Sequence, residues 1–205
     1  MAEQVLTDVS TLRRSPLAHL SEALKQGTVS GARGVAVREI AFTTQVGVRA
    51  EPGSAAHDAL AAATSVGLPA SVGHVTGDAT GTAVLWQGPD EFLVVAPEGS
   101  TLADELVTAL GSEAGQVVDL SANRTIVELS GPSARLVLEK GCPADLHPRS
   151  FAVGTAISTV LGPVPLMLWK TAEETFRLLP RASFADYTAR WLLDAMSEFA
   201  SAEVD

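Results

Sequence analysis

The feature that most constrains the fold is an internal duplication. Trp86 to Pro97 and Trp169 to Pro180 enclose equal spacings, with Asp90-Glu91 in the first span matched by Glu173-Glu174 in the second. Ser100 and Ser183 stand at the same distance beyond each proline, and each opens an amphipathic stretch. Upstream, Val46 to Pro52 corresponds to Ile126 to Pro132. The offset of about 80 residues is longer than the units that stack into solenoids. The chain therefore reads as two copies of one supersecondary unit.

The elements of that unit follow from local pattern. Ile40–Ala50 carries Thr43, Thr44, Val46 and Val48 and suits a strand. Pro52-Gly53-Ser54 turns the chain, and Ala55–Ala63 reads as a helix capped by Ser54. Strands Ala83–Trp86 and Phe92–Ala96 flank the turn Gly88-Pro89-Asp90. Helix Leu102–Leu110, with Ser100 as N-cap, puts Leu102, Leu106 and Leu110 on one face. In the second copy Thr125–Ser130 is a strand, and a helix with Pro132 in its first turn runs to Gly141. Strands Thr155–Leu161, Leu166–Lys170 and Thr175–Leu179 follow. A final helix, Phe184–Phe199, sets Phe184, Tyr187, Trp191, Ala195 and Phe199 at helical spacing.

Strand–helix–strand–strand–helix, present twice, predicts an α+β fold of two ferredoxin-like subdomains packed together, residues 36–118 and 119–205. Residues 1–35 read as an amino-terminal extension or arm outside the core, because Ser, Gly, Arg and Thr punctuate every short apolar stretch. One amphipathic helix pair per sheet leaves an apolar seam between the halves, so neither half is expected to be stable alone.

Charge and cysteine usage narrow the surroundings. Net charge is −10, with no Lys/Arg cluster in either half, which disfavours nucleic acid and anionic membranes as partners. The single cysteine, Cys142, allows no internal disulfide and suits a reducing compartment. The apolar run Val160–Trp169 is broken by Gly162, Pro163 and Pro165, and the start has no uninterrupted apolar stretch of signal-peptide type. A cytoplasmic location is expected.

No catalytic, cofactor-binding or metal-binding constellation emerges. His19, His57, His74 and His147 form no i+3 or i+4 pair, and a lone cysteine supplies no Cys-x-x-Cys. His57 reads as a surface residue and Cys142 as a small buried one. Gly31 to Gly34 precedes a strand rather than following one, and Gly77 to Thr82 lacks a phosphate-holding lysine. Asp90-Glu91 and Glu173-Glu174 sit at hairpin turns, where nothing raises a carboxyl pKa. Two stretches resist a purely structural reading, Asp119–Arg124 and Lys140–Pro148. Asn123 and Arg124 enter a strand, where the guanidinium can fork a neighbour's carboxylate or carbonyls. Asp145 and His147 are placed to orient each other or to cap the next element. With Arg14 in the amino-terminal arm, these four are the candidate subunit-contact residues.

The same stretches carry a family resemblance. Asp119–Phe151, DLSANRTIVELSGPSARLVLEKGCPADLHPRSF, resembles the signature region of the gamma subunit of heterotetrameric sarcosine oxidase. Thr175–Ala195, Arg14-Ser-Pro-Leu17 and Gly88-Pro-Asp-Glu-Phe-Leu93 resemble further segments of that family in the same order. The resemblance implies a fold similar to the folate-dependent aminomethyltransferase domain. It implies a non-catalytic structural subunit, working beside alpha, beta and delta subunits that demethylate sarcosine oxidatively. The products would be glycine, hydrogen peroxide, and formaldehyde or methylene-tetrahydrofolate. FAD, FMN, NAD, tetrahydrofolate and zinc are then expected in the partners, none in this chain. The alternative expectation, from the fold alone, is a stand-alone folate-binding or aminomethyl-transfer protein, with Asp119 or Asp145 as its carboxylate.

Overall fold

The computed structural model describes residues 12–201. In chain order its elements are α1 Ser21–Gln26, β1 Ala36–Ile40, β2 Thr44–Arg49, α2 Ala55–Ala63, β3 Val75–Gly77, β4 Ala83–Trp86, β5 Glu91–Ala96 and α3 Leu102–Leu110. There follow β6 Gln116–Asp119, β7 Ile126–Ser130, α4 Ala134–Glu139, β8 Ala156–Leu161, β9 Val164–Ala172, β10 Thr175–Pro180 and α5 Ala185–Met196. Two antiparallel sheets result, in the orders β3-β4-β5-β2-β6 and β1-β7-β10-β9-β8.

The first sheet is a ferredoxin-like unit, β2-α2-β4-β5-α3-β6, with β6 returning beside β2 and β3 added at the far edge. The second repeats it as β7-α4-β9-β10-α5, with β8 as the added edge. Its last strand position, beside β7, is filled by β1, which precedes the whole first unit. Ala36 lies opposite Ser130 and Ile40 opposite Ile126. β1 thus falls in the second sheet, although its residues stand within the expected first subdomain, 36–118. The residues read as one strand from Ile40 to Ala50 are broken at Phe42, whose φ of +58° is left-handed and sends the chain from one sheet to the other.

The strand pleat distributes the apolar residues into three cores. In β5, Phe92, Val94 and Ala96 face α2 and α3, whereas Leu93 and Val95 face the other sheet. In β9, Leu166 and Leu168 face α4 and α5, whereas Met167 and Trp169 face the first sheet. The layers are helix, sheet, sheet, helix, and the seam between the halves is sheet on sheet. Both faces of the central strands are buried, which is why Phe92–Ala96 and Leu166–Trp169 are continuous apolar runs rather than alternating ones.

Helix ends follow their residues. Ser54 Oγ accepts the His57 N–H at 3.1 Å as the N-cap of α2, whereas the N-cap of α3 is Thr101 rather than the expected Ser100, whose Oγ accepts the Leu102 N–H at 3.3 Å from one residue further out. On α5 the buried side is Ala185, Thr188, Ala189, Leu192, Ala195 and Met196, with Leu192 and Met196 filling the core between the small alanines. Phe184 and Tyr187, expected along one amphipathic stripe, are instead exposed.

The amino-terminal region corrects the expectation of an arm outside the core. Leu17, Leu20 and Leu24 are buried in the second helix–sheet core, with Leu17 fully so. Their i, i+3, i+7 spacing lays one face of a short helical segment against β1 and into the core that α4 and α5 also fill. The Glu39 carboxylate holds the segment, accepting from the Ser15 hydroxyl, the Leu17 N–H at 3.1 Å and the Thr125 hydroxyl at 3.0 Å. The part of the expected arm before residue 12 lies outside the described residues.

Candidate subunit-contact site

Because β1 and β2 lie in different sheets, and so do β6 and β7, the chain crosses between sheets at residues 41–43 and again at 120–125. Gln45 ties the crossings together. Its N–H donates to Ser121 Oγ at 3.1 Å, its carbonyl accepts the Leu120 N–H at 2.7 Å, and its side-chain amide donates to the Arg124 carbonyl at 3.1 Å. The residue is 1% exposed, and its Oε1 has no partner among the described residues. A cleft of about 290 Å³ opens here, with Arg14, Glu39, Phe42, Gln45, Ser121 and Arg124 among its lining. Arg13, beside Arg14, lays its guanidinium 4.3 Å from the centre of the Phe42 ring and donates to Glu98 at 3.1 Å.

Asn123 is exposed and acts through its backbone, donating to the Leu120 carbonyl at 2.8 Å and accepting the Ala182 N–H at 2.9 Å. Arg124 is half-buried. Its Nη1 donates to the Leu179 carbonyl at 3.2 Å, while its Nε is buried with no partner among the described residues. Its backbone pairs with Arg181 as an isolated antiparallel bridge. Burial, and then the Arg181 charge, lower the Arg124 pKa from its ordinary value. Both arginines line a second cleft of about 210 Å³, with Ser158, Thr159 and Phe184. Arg181 was not among the sequence candidates. The repeat held the signal, since Arg181 follows Pro180 where Glu98 follows Pro97, a reversal of charge at equivalent positions.

Asp145 and His147 lie elsewhere, and neither lines either of these clefts. Both are exposed. The Ser150 hydroxyl and the His147 N–H, the latter at 3.0 Å, hold the Asp145 carboxyl below its ordinary pKa. His147 Nδ1 in turn accepts the Arg149 N–H at 3.2 Å. The pair caps its own turn. Asp119, also exposed, is held low by the hydroxyl of Ser121 at 2.6 Å and its N–H at 2.9 Å. Neither carboxylate lines either of the two clefts described above. The Gly77–Gly81 turn is likewise closed on itself, because Asp78 Oδ1 already accepts the N–H groups of Thr80 at 2.7 Å and Gly81 at 3.2 Å. No group of three or more His, Cys, Asp or Glu side chains able to hold a metal ion occurs among the described residues. Cys142 is buried as expected. His57, expected at the surface, is half-buried with its ring 6.1 Å from that of Phe92 in an edge contact.

Two ferredoxin-like units sharing a sheet-on-sheet core define an aminomethyltransferase-like scaffold. The fold is similar to that of glycine cleavage system aminomethyltransferase T from Bartonella henselae, at TM-score 0.63 and 20% identity, covering 89% of this chain and 57% of that one. That likeness speaks for the fold alone. The model of the sarcosine oxidase, gamma subunit family matches residues 48–198, and the chain belongs to that family. It is 60% identical over 204 residues to sarcosine oxidase subunit gamma of Corynebacterium sp. (strain U-96), and 62% identical over 204 residues to that of an Arthrobacter species. Both alignments cover 100% of each chain. A chain of the heterotetrameric sarcosine oxidase from Corynebacterium sp. U-96, solved in complex with pyrrole 2-carboxylate, superposes at TM-score 0.93 and 61% identity, covering 95% of this chain and 100% of that one.

Proposed function

We propose that this chain is the structural gamma subunit of a cytoplasmic heterotetrameric sarcosine oxidase, assembled with alpha, beta and delta subunits. The complex would convert sarcosine to glycine and hydrogen peroxide, with formaldehyde or methylene-tetrahydrofolate. FAD, FMN, NAD, tetrahydrofolate and zinc would reside in the partners, and this chain would contribute no catalytic residue. The observation that carries the reading is identity of about 60% over the full length of gamma subunits, together with superposition at TM-score 0.93 on a chain of such a heterotetramer. The turn geometry also accords with it, because the carboxylates of Asp119, Asp145 and Asp78 are each engaged by N–H groups of their own turn. No described helix is long and apolar enough to cross a membrane. Arg14, Asn123, Arg124, Asp145 and His147 stand as the proposed contact residues.

The test is co-expression with the reading frames that neighbour its gene. A tagged chain should draw out a yellow complex that oxidises sarcosine, whereas the chain alone should be colourless, inactive and silent in calorimetry with tetrahydrofolate. A yellow, sarcosine-oxidising isolated chain, or failure to co-purify with any flavoprotein, would sink the proposal.

A further inference from the structure

The Arg124–Arg181 cleft is at odds with its surroundings. The chain carries a net charge of −10, and Arg13, Arg38, Arg49, Arg135, Arg177 and Arg190 each sit within reach of a carboxylate. Arg124 and Arg181 instead neighbour each other, and neither forms an ion pair with a carboxylate among the described residues. Two neighbouring guanidinium groups repel, and the partial burial of one reduces the solvent that would screen them. Arg124 Nη1 is occupied by the Leu179 carbonyl, but its Nε–H is buried with no acceptor among the described residues. The cleft they share adds the hydroxyls of Ser158 and Thr159, and Phe184 beside them is 38% exposed. Among the described residues no acidic side chain lines it.

We propose that this cleft docks a protruding Asp or Glu side chain of a partner subunit, its carboxylate held between Arg124 and Arg181 while Phe184 covers its stem. The inference rests on the subunit reading above and names where one contact of that assembly falls. A planar guanidinium matches a carboxylate in fork geometry, which makes arginine the cation suited to an interfacial anion. Arginine beside an exposed aromatic ring is the composition that concentrates binding energy at interfaces. At about 210 Å³ the cleft has room for one side chain, and it is smaller than the pockets that enclose a cofactor.

Arg181 is exposed, so its replacement tests the contact without removing the internal bond of Arg124. The R181E chain, co-expressed with its partners, should assemble at least about tenfold more weakly than the wild type, with R181K retaining most of the affinity. Thermal unfolding of the variant chain serves as the control, and R181Q takes its place if R181E proves less stable by itself. The primary amine introduced by R181K should be joined by a zero-length carbodiimide to an Asp or Glu of a partner subunit, identified by mass spectrometry. Assembly of R181E within twofold of the wild type overturns the proposal. So does a crosslink confined to this chain, or intact assembly with a raised KM for sarcosine, which would assign the cleft to a small carboxylate. Failure of the wild-type chain itself to assemble would instead bring down the subunit reading, and this contact with it.

Discussion

Replacing Glu128 by Ala should destabilise the fold far more than replacing its exposed partner Arg38. Glu128 sits in β7 between Arg38 of β1 and Arg177 of β10, each directly opposite it in register. Its carboxylate accepts from Arg38 Nε at 2.8 Å and from Arg177 Nε at 3.1 Å. The Glu128 and Arg177 side chains are 9% and 12% exposed, whereas that of Arg38 is 70% exposed. Arg177 also lies 5.5 Å from the Trp169 ring, within the sheet-on-sheet layer. Truncating one member of a buried pair leaves the other charge unpaired and costs about 3–5 kcal/mol, while the exposed Arg38 arm contributes about 0–1 kcal/mol. For a chain of this size, about 2–4 °C of melting temperature accompanies each kcal/mol. Glu128→Ala should therefore lower Tm by about 6–20 °C, and Arg38→Ala by no more than about 4 °C. Circular dichroism melts of the purified variants measure both. A double Glu128→Met, Arg177→Met variant should recover most of the loss, because no charge is then left buried alone. Equal Tm values for Glu128→Ala and Arg38→Ala would refute the argument that burial of the Arg177 partner sets the cost.

Leu17→Ala should cost about 2–5 kcal/mol in urea unfolding, because Leu17 is fully buried; a loss below about 0.5 kcal/mol would return the segment to the status of an arm. Gly131→Ala should cost at least about 1–3 kcal/mol, since Gly131 has φ +117° and a Cβ there would lie 2.6 Å from the Gly34 carbonyl oxygen; an unchanged melting curve would show that the β1–β7 corner shifts freely. Asp78, Asp119 and Asp145 have folded pKa values below the ordinary 3.8, so their turn contacts contribute fully above that value and are lost as pH falls through the folded values. Amide exchange in turns 78–81, 119–121 and 145–150 should be insensitive to ionisation of these groups between about pH 7 and 5, with protection lost only below about 4; loss near neutral pH would contradict the assignment.

What was legible in the sequence is what depends on neighbours along the chain. The bounds of α2, β4 and α3 follow from local cap, turn and periodicity signals, and the matched Trp86–Pro97 and Trp169–Pro180 spans are the β4–β5 and β9–β10 hairpins. The short edge strands β3 and β6 lacked such signals and were missed. Leu17, Leu20 and Leu24 did carry helical spacing, but the polar residues around them obscured it. The strand exchange was invisible for a stronger reason: the pattern of Ala36–Ile40 specifies a strand without specifying which sheet it completes. Only the left-handed Phe42 marks the departure, and a phenylalanine at that conformation has no sequence signature. Arg181 and Arg124 are likewise distant in sequence and meet only because β10 ends beside the second crossing.

The exchange also explains why Arg14 and Arg124 meet at one cleft, while Asp145 and His147 lie elsewhere. A cut at 118/119 would strip β1 from β7 and leave the second sheet without its last strand, so the duplicated halves cannot be separated as contiguous pieces. Passing β1 to the far sheet forces the chain to cross between sheets before β2 and again before β7, and the two crossings lie side by side at Gln45. Crossing backbone cannot be packed as densely as paired strands, so clefts open there, and their polar groups are satisfied only as far as the crossings themselves allow. At Gln45 and Arg124 that internal satisfaction runs out: Gln45 Oε1 and Arg124 Nε are buried without a partner among the described residues, while Arg124 Nη1 is committed to Leu179. The same connection that makes the two halves inseparable therefore also creates the clefts at Gln45 and Arg124.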